Sequence, residues 1–368
     1  MLSDGQPGHY NLSRGVVAAL KRVRPVEEHW LDVQLRFGFM RNLLRFFLNR
    51  LSGLPASRWM RLFYVMPDLP VQRCDLVVSA GGKTSFANAW LSRDMNVPNI
   101  FAGSLRRLSP RLFTVTLTLE PVDPPSAANL VLDLPPSAVD DLTLDQQGER
   151  LRQNLQLPRE RLYTLLIGGD GAGYQYSARD WKQLGELINV LGERYQVRWL
   201  LLGSRRTGNE AQRIIQSTLD SALVAGTVWY ESGQQVEIGA YLGAADQVFV
   251  TEDSMTMITE AIYSRRPVVS LRPALVSSTQ RYAAMVKRFA DRRWICRYVV
   301  SSLLAKPGQL AEQACRPLKE SPLDRLAEQL VQRLQLEVRK GVSPVPVSYT
   351  HLTLPTIILP CSCGWGAE

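Results

Sequence analysis

Residues 248–261 read VFVTEDSMTMITEA, and this stretch indicates the fold class of the chain. Its first three residues have the apolar character of a buried strand, and a helical pattern of apolar residues begins a few positions later. Hydroxyl and carboxylate side chains stand between the two, at Thr251, Glu252, Asp253, Ser254 and Thr256. A strand that passes directly into a helix is typical of a parallel sheet with crossover helices. The polar residues then either cap the helix or form a binding site where the strand ends.

The same alternation of apolar strands and helical patterns runs through most of the chain. In the first half it predicts strands within residues 29–35, 74–82, 97–104, 113–121 and 128–136, and helices over 11–23 and 84–94. In the second half it predicts strands within residues 161–171, 197–208, 226–232, 246–254 and 266–273, and helices over 145–157, 177–194, 209–221, 236–244, 254–264, 278–291 and 322–340. We therefore predict an α/β protein with two Rossmann-like, doubly wound domains that face a cleft, over residues 1–144 and 145–340. Because the loop-like sequence LSDGQPGH directly follows Met1, we expect the first strand to be truncated or absent.

The composition of the 368-residue chain indicates an anionic partner. Its formal net charge is +9, which favours phosphates, nucleic acid or an acidic membrane surface. Nucleic-acid binding rests on this charge alone, so we do not expect it. No apolar run is long enough to span a bilayer and no secretion signal opens the chain, so we predict a soluble, cytoplasmic protein. The five cysteines show no metal-binding spacing, and the sequence does not predict the oligomeric state.

The end of the chain differs in character from everything before it. Residues 346–356 read PVSYTHLTLPT, which continues no helical or strand pattern and is similar to the translation of a transposase-type sequencing adapter. We therefore expect residues 346–368 to be an assembly artefact that contributes to neither the fold nor a site.

Two glycine-rich loops in the first half are candidates for binding an acceptor. In LSDGQPGHYN, Gly5 and Gly8 allow a ligand to approach the backbone closely. Histidine is the side chain best suited to proton transfer near neutral pH, so we predict that His9, or a carboxylate such as Asp4, takes the proton of an acceptor hydroxyl. The second loop, AGGKTS, supplies the acceptor-binding candidates Gly81, Gly82, Lys83, Thr84 and Ser85. Both loops are equally compatible with turns that cap the following helices.

Three stretches in the second half are candidates for binding a diphosphate donor. The glycine loop after the strand at 161–171 and the loop SRRTG supply Gly168, Gly169, Gly171, Gly173, Ser204, Arg205, Arg206 and Thr207. Arginine forks suit phosphate oxygens, although a solvated basic loop has the same composition. In the opening stretch, Asp253 or Ser254 is a good helix cap, and Thr256 and Glu260 share one helix face. We predict that Asp253, Ser254 and Thr256 complete the donor pocket and that Glu260 accepts hydrogen bonds from ribose hydroxyls.

Residues Phe37–Leu51, FGFMRNLLRFFLNRL, combine basic and apolar side chains. Arg41, Arg45 and Arg50 stand among leucines and phenylalanines at helical spacing. Such a helix either lies on an anionic membrane surface or packs into its own domain, and the sequence leaves both open.

Three of these motifs together resemble one protein family. SDGQPGH near the start, SRRTG in mid-chain and VTEDSMTMITEA later occur in the order of the bacterial relatives of the plant mitochondrial fission protein named for elongated mitochondria. The resemblance covers most of residues 3–340. That family is similar to the GT-B class of glycosyltransferases, which implies a nucleotide-sugar donor in the second domain and an acceptor in the first. It implies no cofactor besides this substrate, and the chain has no convincing Asp-x-Asp metal motif.

The loop DGQPGH is also similar to the glycine–histidine loop of the N-acetylglucosaminyltransferase that makes the peptidoglycan lipid precursor. On this analogy His9 lies near the acceptor and Glu260 near the donor ribose. The resemblance implies a metal-independent glycosyltransferase at the inner face of the membrane, with a cell-envelope lipid or saccharide as acceptor. The role implied for the plant member, recruitment of a fission GTPase, leaves an alternative: a non-catalytic peripheral-membrane adaptor on the same fold.

Overall fold

A computed structural model of the protein describes residues 1–38, 41–50, 62–65, 74–230, 237–310 and 315–336. The strands are β1 (Leu2–Ser3), β2 (Leu31–Asp32), β3 (Gln34–Leu35), β4 (Tyr64–Val65), β5 (Val77–Ala80), β6 (Asn99–Ala102), β7 (Val115–Thr118), β8 (Asn129–Val131), β9 (Leu162–Ile167), β10 (Arg198–Gly203), β11 (Val224–Val228), β12 (Gln247–Thr251), β13 (Val268–Arg272) and β14 (Cys296–Val299). The helices are α1 (Pro7–Lys21), α2 (Arg41–Arg50), α3 (Ser85–Met95), α4 (Asp141–Asn154), α5 (Ala178–Tyr195), α6 (Gly208–Thr218), α7 (Ile238–Ala244), α8 (Met255–Tyr263), α9 (Gln280–Asp291), α10 (Val300–Ala305) and α11 (Pro322–Leu334). The predicted tail over residues 346–368 lies outside the described residues, as do positions 39, 40 and 51 of the basic segment.

The first sheet contains six parallel strands in the order β2-β1-β5-β6-β7-β8. A first strand is present although it has only two residues, because Leu2 pairs with Leu31 of β2 on one side and Ser79 of β5 on the other. The strand order reverses between β1 and β5. In sheets of this kind ligands bind beyond the carboxyl ends of the strands at such a point. His9, in the first turn of the helix that follows β1, and Gly81, directly after β5, lie at this edge of the sheet.

The second sheet contains six parallel strands in the order β11-β10-β9-β12-β13-β14. All six residues of the central strand β9 are buried, as expected for a parallel strand that is covered on both faces. The order reverses between β9 and β12. The opening stretch forms β12 and α8, and the Ser254 hydroxyl accepts the backbone N–H of Met257 at 3.5 Å. The prediction that this serine caps the helix is therefore confirmed.

One hydrophobic cluster joins the two sheets. It includes Leu20 of α1, Ile258 of α8 and Leu330 of α11, each at most 3% exposed. Helix α11 packs against α1, so the last described helix returns to the first sheet. Helix α4 packs on α7 and spans the predicted domain limit at residue 144, and that limit stays a prediction.

The sequence did not predict every element. The short strand β4, the edge strand β14 and the helix α10 have no strong pattern of their own, whereas β3 lies within the strand predicted over residues 29–35. Cys296 of β14 and Cys315, two of the scattered cysteines, pair as a disulfide. Among the described helices, none combines the length and the apolar character that crossing a bilayer requires.

Candidate functional site

His9 lies in the first turn of α1 and is held by Asp4. Its Nδ1 atom lies 3.0 Å from both carboxylate oxygens of Asp4, which directly follows β1. The Asp4 side chain is 1% exposed, whereas the His9 side chain is 37% exposed. A carboxylate on one ring nitrogen orients the imidazole and leaves Nε2 for a ligand. Because Asp4 is enclosed, it acts on His9 and does not itself reach an acceptor.

Glycines make room for this pair. Gly81 has a φ of +85°, and a Cβ at this position would overlap the His9 ring. Gly5 has a φ of +72° with open space around it, so only the backbone of the turn requires a glycine there. A Cβ at Gly8 would lie 3.6 Å from Thr256 Oγ1, so Gly8 faces the second domain across the cleft.

The rest of the loop after β5 is mostly engaged in its own turn. Thr84 Oγ1 donates to the carbonyl oxygen of Ala80 or Gly81, each at 2.9 Å. Ser85 Oγ donates to the Gly82 carbonyl at 3.1 Å, and both hydroxyl-bearing residues are buried. Lys83 is exposed, so it is the side chain of this loop that can meet an acceptor.

A cavity of about 600 Å³ opens beside His9, between the two domains. From the first domain it is lined by residues of α1 and by the loops after β6 and β7, and from the second by the start of α8 and by Arg281 of α9. Arg106 and Arg107 belong to the first set. The sequence did not single out these three arginines, since they stand in loops without a glycine motif.

The glycines after β9 bring neighbouring loops together. A Cβ at Gly168 would overlap the Asp253 carboxylate, and a Cβ at Gly169 would overlap the backbone of Arg206. Gly171 lies against the guanidinium of Arg206, and Gly173, with a φ of +86°, lies against Ser277. The N–H groups of Gly168 and Gly169 donate to Thr251 Oγ1 at 2.7 Å and to Asp253 Oδ2 at 3.2 Å. Two of the amides proposed for a diphosphate are therefore already bonded within the protein.

The loop SRRTG folds back onto the end of β9. Thr207 Oγ1 donates to the carbonyl oxygen of Ile167 at 2.9 Å or of Gly168 at 2.7 Å. Ser204 Oγ accepts the backbone N–H of Arg206 at 3.2 Å. The two hydroxyls therefore build the turn, and the two arginines are the part of the loop left for a ligand.

Arg206 and Asp253 form an ion pair at the carboxyl end of the second sheet. Arg206 Nη2 lies 2.6 Å from Asp253 Oδ2, and the Asp253 side chain is fully buried. Burial raises the pKa of the Asp253 carboxyl, and the Arg206 guanidinium limits that rise. No described group donates to the other oxygen, Oδ1. Arg205 is exposed and is the guanidinium of this loop best able to reach a diphosphate.

Glu252 has a larger role than the sequence suggested. Arg297 donates to both of its carboxylate oxygens, at 2.5 Å and 2.7 Å. The Tyr174 hydroxyl donates to it at 2.7 Å and the Ser270 hydroxyl at 2.8 Å, and the Glu252 side chain is fully buried. A carboxylate at the end of a buried strand was the available signal, but its partner Arg297 lies on β14, which was not predicted.

Glu260 faces the first domain. It is 9% exposed, and its Oε1 accepts a hydrogen bond from Asn11 Nδ2 of α1 at 3.2 Å. Burial raises the pKa of the Glu260 carboxyl to about 7. Thr256, one turn earlier on α8, lines the cavity beside His9. The two residues predicted to share a helix face therefore lie at the contact between α8 and α1.

Helix α2 both packs into its domain and presents apolar side chains to solvent. Leu44 and Leu48 are buried, while Leu43 is 45% exposed and Phe46 52% exposed. This division is compatible with either of the alternatives left open by its sequence. Within the described ranges, no three His, Cys, Asp or Glu side chains are grouped so that they could hold a metal ion.

Comparison with known protein families matches most of the chain to one family. The family model described as mitochondrial fission ELM1 matches residues 7–334. Among curated proteins, none matches the sequence.

Several solved structures are similar to this chain over most of its length. UDP-GlcNAc 2-epimerase from Methanocaldococcus jannaschii is 11% identical, with a TM-score of 0.53 over 90% of this chain and 97% of its own. MurG from Acinetobacter baumannii is 14% identical, with a TM-score of 0.49 over 91% and 98%. ADP-heptose LPS heptosyltransferase II from E. coli is 11% identical, with a TM-score of 0.41 over 88% and 95%. The likeness to the epimerase, together with the strand orders, establishes the predicted fold of two Rossmann-like domains of the GT-B type.

Proposed function

This chain belongs to the mitochondrial fission ELM1 family, and we propose that it is a glycosyltransferase that moves a sugar from a nucleotide-sugar to a lipid or saccharide acceptor. The observation that carries this proposal is the pair of Asp4 and His9 at the wall of the cavity between the domains. A buried carboxylate that orients a partly exposed histidine is the arrangement of a general base and its positioning group. The name of the similar epimerase includes a UDP-sugar, which supports a nucleotide-sugar as the partner.

The proposed reaction is a displacement at the anomeric carbon of the donor. His9 Nε2 takes the proton of the acceptor hydroxyl, and Asp4 stabilises the imidazolium that forms. The acceptor oxygen forms a bond to the anomeric carbon, while the bond from that carbon to the diphosphate oxygen breaks and its electron pair leaves with the nucleotide. Arg205 and the N-terminus of α8 stabilise the departing charge, so the reaction needs no metal ion. Glu260 binds the ribose of the donor: a ribose hydroxyl replaces Asn11 as the hydrogen-bond donor to the Glu260 carboxylate.

Binding of the donor is the first test. The protein is titrated with UDP-, GDP- and CMP-sugars, and thermal unfolding is followed. A ligand of the native state at 100 times its Kd stabilises by about 2.7 kcal/mol, so one nucleotide should raise the Tm measurably. If no nucleotide-sugar raises the Tm, the transferase proposal fails.

Release of the nucleotide is the second test, with His9→Asn compared with wild type. Since His9 is proposed to act in the chemical step, the variant should bind the donor normally but release nucleotide at least 100-fold more slowly. His29→Asn is the matched control, because His29 is an exposed histidine that does not line the cavity. Equal loss in both variants, or full activity in His9→Asn, contradicts the role of His9.

A second candidate function, a peripheral-membrane adaptor, is favoured by the exposed Leu43 and Phe46 of α2. Exposed apolar side chains beside arginines suit an anionic bilayer surface. The test is sedimentation with anionic vesicles of Arg41→Glu/Arg45→Glu, with Arg179→Glu/Arg213→Glu as a control of equal charge in the second domain. If only Arg41→Glu/Arg45→Glu binds the vesicles more weakly than wild type, the adaptor function is supported. If both double variants bind the vesicles equally, the adaptor function is contradicted.

A further inference from the structure

The cavity beside His9 has two chemically different parts. Its larger part is apolar, with walls formed by side chains of the loops after β6 and β7 and of the neighbouring strands: Leu105, Leu108, Leu117, Leu119, Val122 and Leu132. Walls of this kind offer a sugar or an inorganic ion few hydrogen-bond partners, so they suit a hydrocarbon chain.

The other part of the cavity carries two adjacent arginines on an unusual backbone. Arg106 has a φ of 46° and Arg107 a φ of 72°. Left-handed conformations of non-glycine residues cost about 1 kcal/mol or more each and cluster at ligand sites. Asn49 of α2 holds this loop, since its Nδ2 donates to the Arg107 carbonyl at 3.1 Å and its Oδ1 accepts the Ser109 N–H at 2.9 Å. The loop is therefore fixed in a conformation that ordinary packing does not favour.

Arg106 lines the same cavity as His9. A Cβ at Gly82 would lie 2.9 Å from Arg106 Nε, and a Cβ at the preceding Gly81 would overlap the His9 ring. The two side chains thus pack on neighbouring residues of one loop, whose Cα atoms are about 3.8 Å apart. Within the described part of the chain, no carboxylate forms an ion pair with Arg106 or Arg107. Both cations are therefore free to meet an anionic group of a ligand in the cavity that His9 also lines.

We propose that this cavity binds an anionic amphiphile, with a phosphate or diphosphate on Arg106 and Arg107 and a hydrocarbon chain along the leucine walls. A simple anion would leave the apolar walls without a partner, and a neutral hydrocarbon would leave the two arginines without one. Arginine forks match phosphate oxygens, and hydrocarbon burial contributes about 0.8 kcal/mol per CH₂. The further statement that this amphiphile is the acceptor rests on the proposed function. Helix α2, which holds the arginine loop through Asn49, exposes Leu43 and Phe46, so a bilayer surface there would lie next to the loop.

The test measures binding in the absence of any nucleotide-sugar, so its result is independent of donor binding. Farnesyl diphosphate, farnesol and inorganic diphosphate are titrated into the full chain below the aggregation limit of the lipids, with calorimetry as readout. Farnesyl diphosphate should bind at least tenfold more tightly than either of the other two, because each lacks one of the two contacts. Equal affinity for inorganic diphosphate means that an anion site alone is present, and equal affinity for farnesol means an apolar site alone; either result overturns the proposal.

Two variants separate the parts of the cavity. Arg106→Gln/Arg107→Gln should weaken farnesyl diphosphate at least tenfold and leave farnesol unchanged. Leu119→Gln should weaken farnesyl diphosphate and leave inorganic diphosphate unchanged. Arg111→Gln, a nearby exposed arginine that does not line this cavity, is the matched control and should bind like wild type. Unchanged farnesyl diphosphate binding by the double arginine variant, with its unfolding also unchanged, overturns the proposal.

Discussion

At the scale of single residues, Glu260 is a carboxyl group that folding transfers out of water. Its folded pKa of about 7 exceeds the ordinary value of 4.5, because burial penalises the charged form. One hydrogen bond from Asn11 compensates only part of this cost. A buried group whose charge is poorly compensated lowers stability, and such groups are concentrated at functional sites.

The raised pKa of Glu260 gives stability a definite pH dependence. An acid with a folded pKa above its unfolded pKa destabilises the fold increasingly as the pH rises from about 4.5 to about 7. Glu260→Gln removes the charge, so its free energy of unfolding should exceed that of wild type by up to about 3 kcal/mol at pH 8 and nearly match it at pH 4.5. Urea unfolding at the two pH values measures this difference.

Glu193→Gln is the control for that experiment, because Glu193 is exposed on α5. It should leave the unfolding free energy within about 0.5 kcal/mol of wild type at both pH values. A Glu260→Gln variant that is less stable than wild type at pH 8 would show that the carboxylate is better compensated than its surroundings indicate.

At the scale of elements, Glu252 connects strands that are distant in the sequence. It stands at the end of β12 and binds Ser270 of β13, Arg297 of β14 and Tyr174 of the loop after β9. The pair of Glu252 and Arg297 ties the edge strand β14 to the centre of the second sheet. Removal of Arg297 leaves the fully buried Glu252 carboxylate without a counter-charge, whereas removal of Glu252 leaves an arginine that is 29% exposed.

This connection predicts a non-additive pair of substitutions. Glu252→Gln alone should lower the free energy of unfolding by about 1–3 kcal/mol, because the partly exposed Arg297 loses its counter-charge and the Tyr174 and Ser270 hydroxyls lose a charged acceptor. Arg297→Met added to Glu252→Gln should restore part of that loss, since no unpaired charge remains. Urea unfolding of both single variants and the double variant gives the coupling energy. A double variant that loses the sum of the two single losses would refute the coupling.

At the scale of the whole molecule, Asp141 joins the two domains at the start of α4. Its carboxylate accepts from Arg22 directly after α1 at 2.6 Å, from Arg265 beyond α8 at 3.3 Å and from the Ser321 hydroxyl at 2.8 Å. The Asp141 side chain is 5% exposed. One carboxylate therefore holds the end of α1, the end of α8 and the start of α11 in a fixed arrangement.

Asp141→Asn should loosen this arrangement. It leaves Arg22 and Arg265 with a weaker partner, so we expect a loss of about 2–4 kcal/mol in the free energy of unfolding. Asp140→Asn is the matched control, since Asp140 also accepts from Arg22 but is 40% exposed, and asparagine can still cap α4. Thermal unfolding measures both, and equal Tm values for the two variants would contradict the special role of Asp141.

The fold was largely predictable from the sequence, whereas the site was predictable only in outline. Parallel strands buried on both faces and amphipathic helices leave strong local patterns, and the predicted elements around VFVTEDSMTMITEA form. The two-residue strand β1 and the edge strand β14 carry too few apolar residues for such a pattern. Contacts such as that of Glu252 with Arg297 join residues far apart in the sequence, so no local sequence pattern predicts them. The same holds for Arg106, whose role depends on a loop brought beside Gly82 by the sheet.

The packing of α11 on α1 has a consequence for synthesis of the protein on the ribosome. Leu323 and Leu330 belong to the same cluster as Val16 and Leu20, so the part of the apolar face of α1 that α11 covers stays exposed until α11 has been translated. At 5–20 residues per second, the interval from α4 to the end of α11 takes roughly 10–40 s. During that time the nascent first domain displays an apolar helix face to the cell. A chaperone that binds exposed apolar helix faces would have this interval in which to act on the nascent chain.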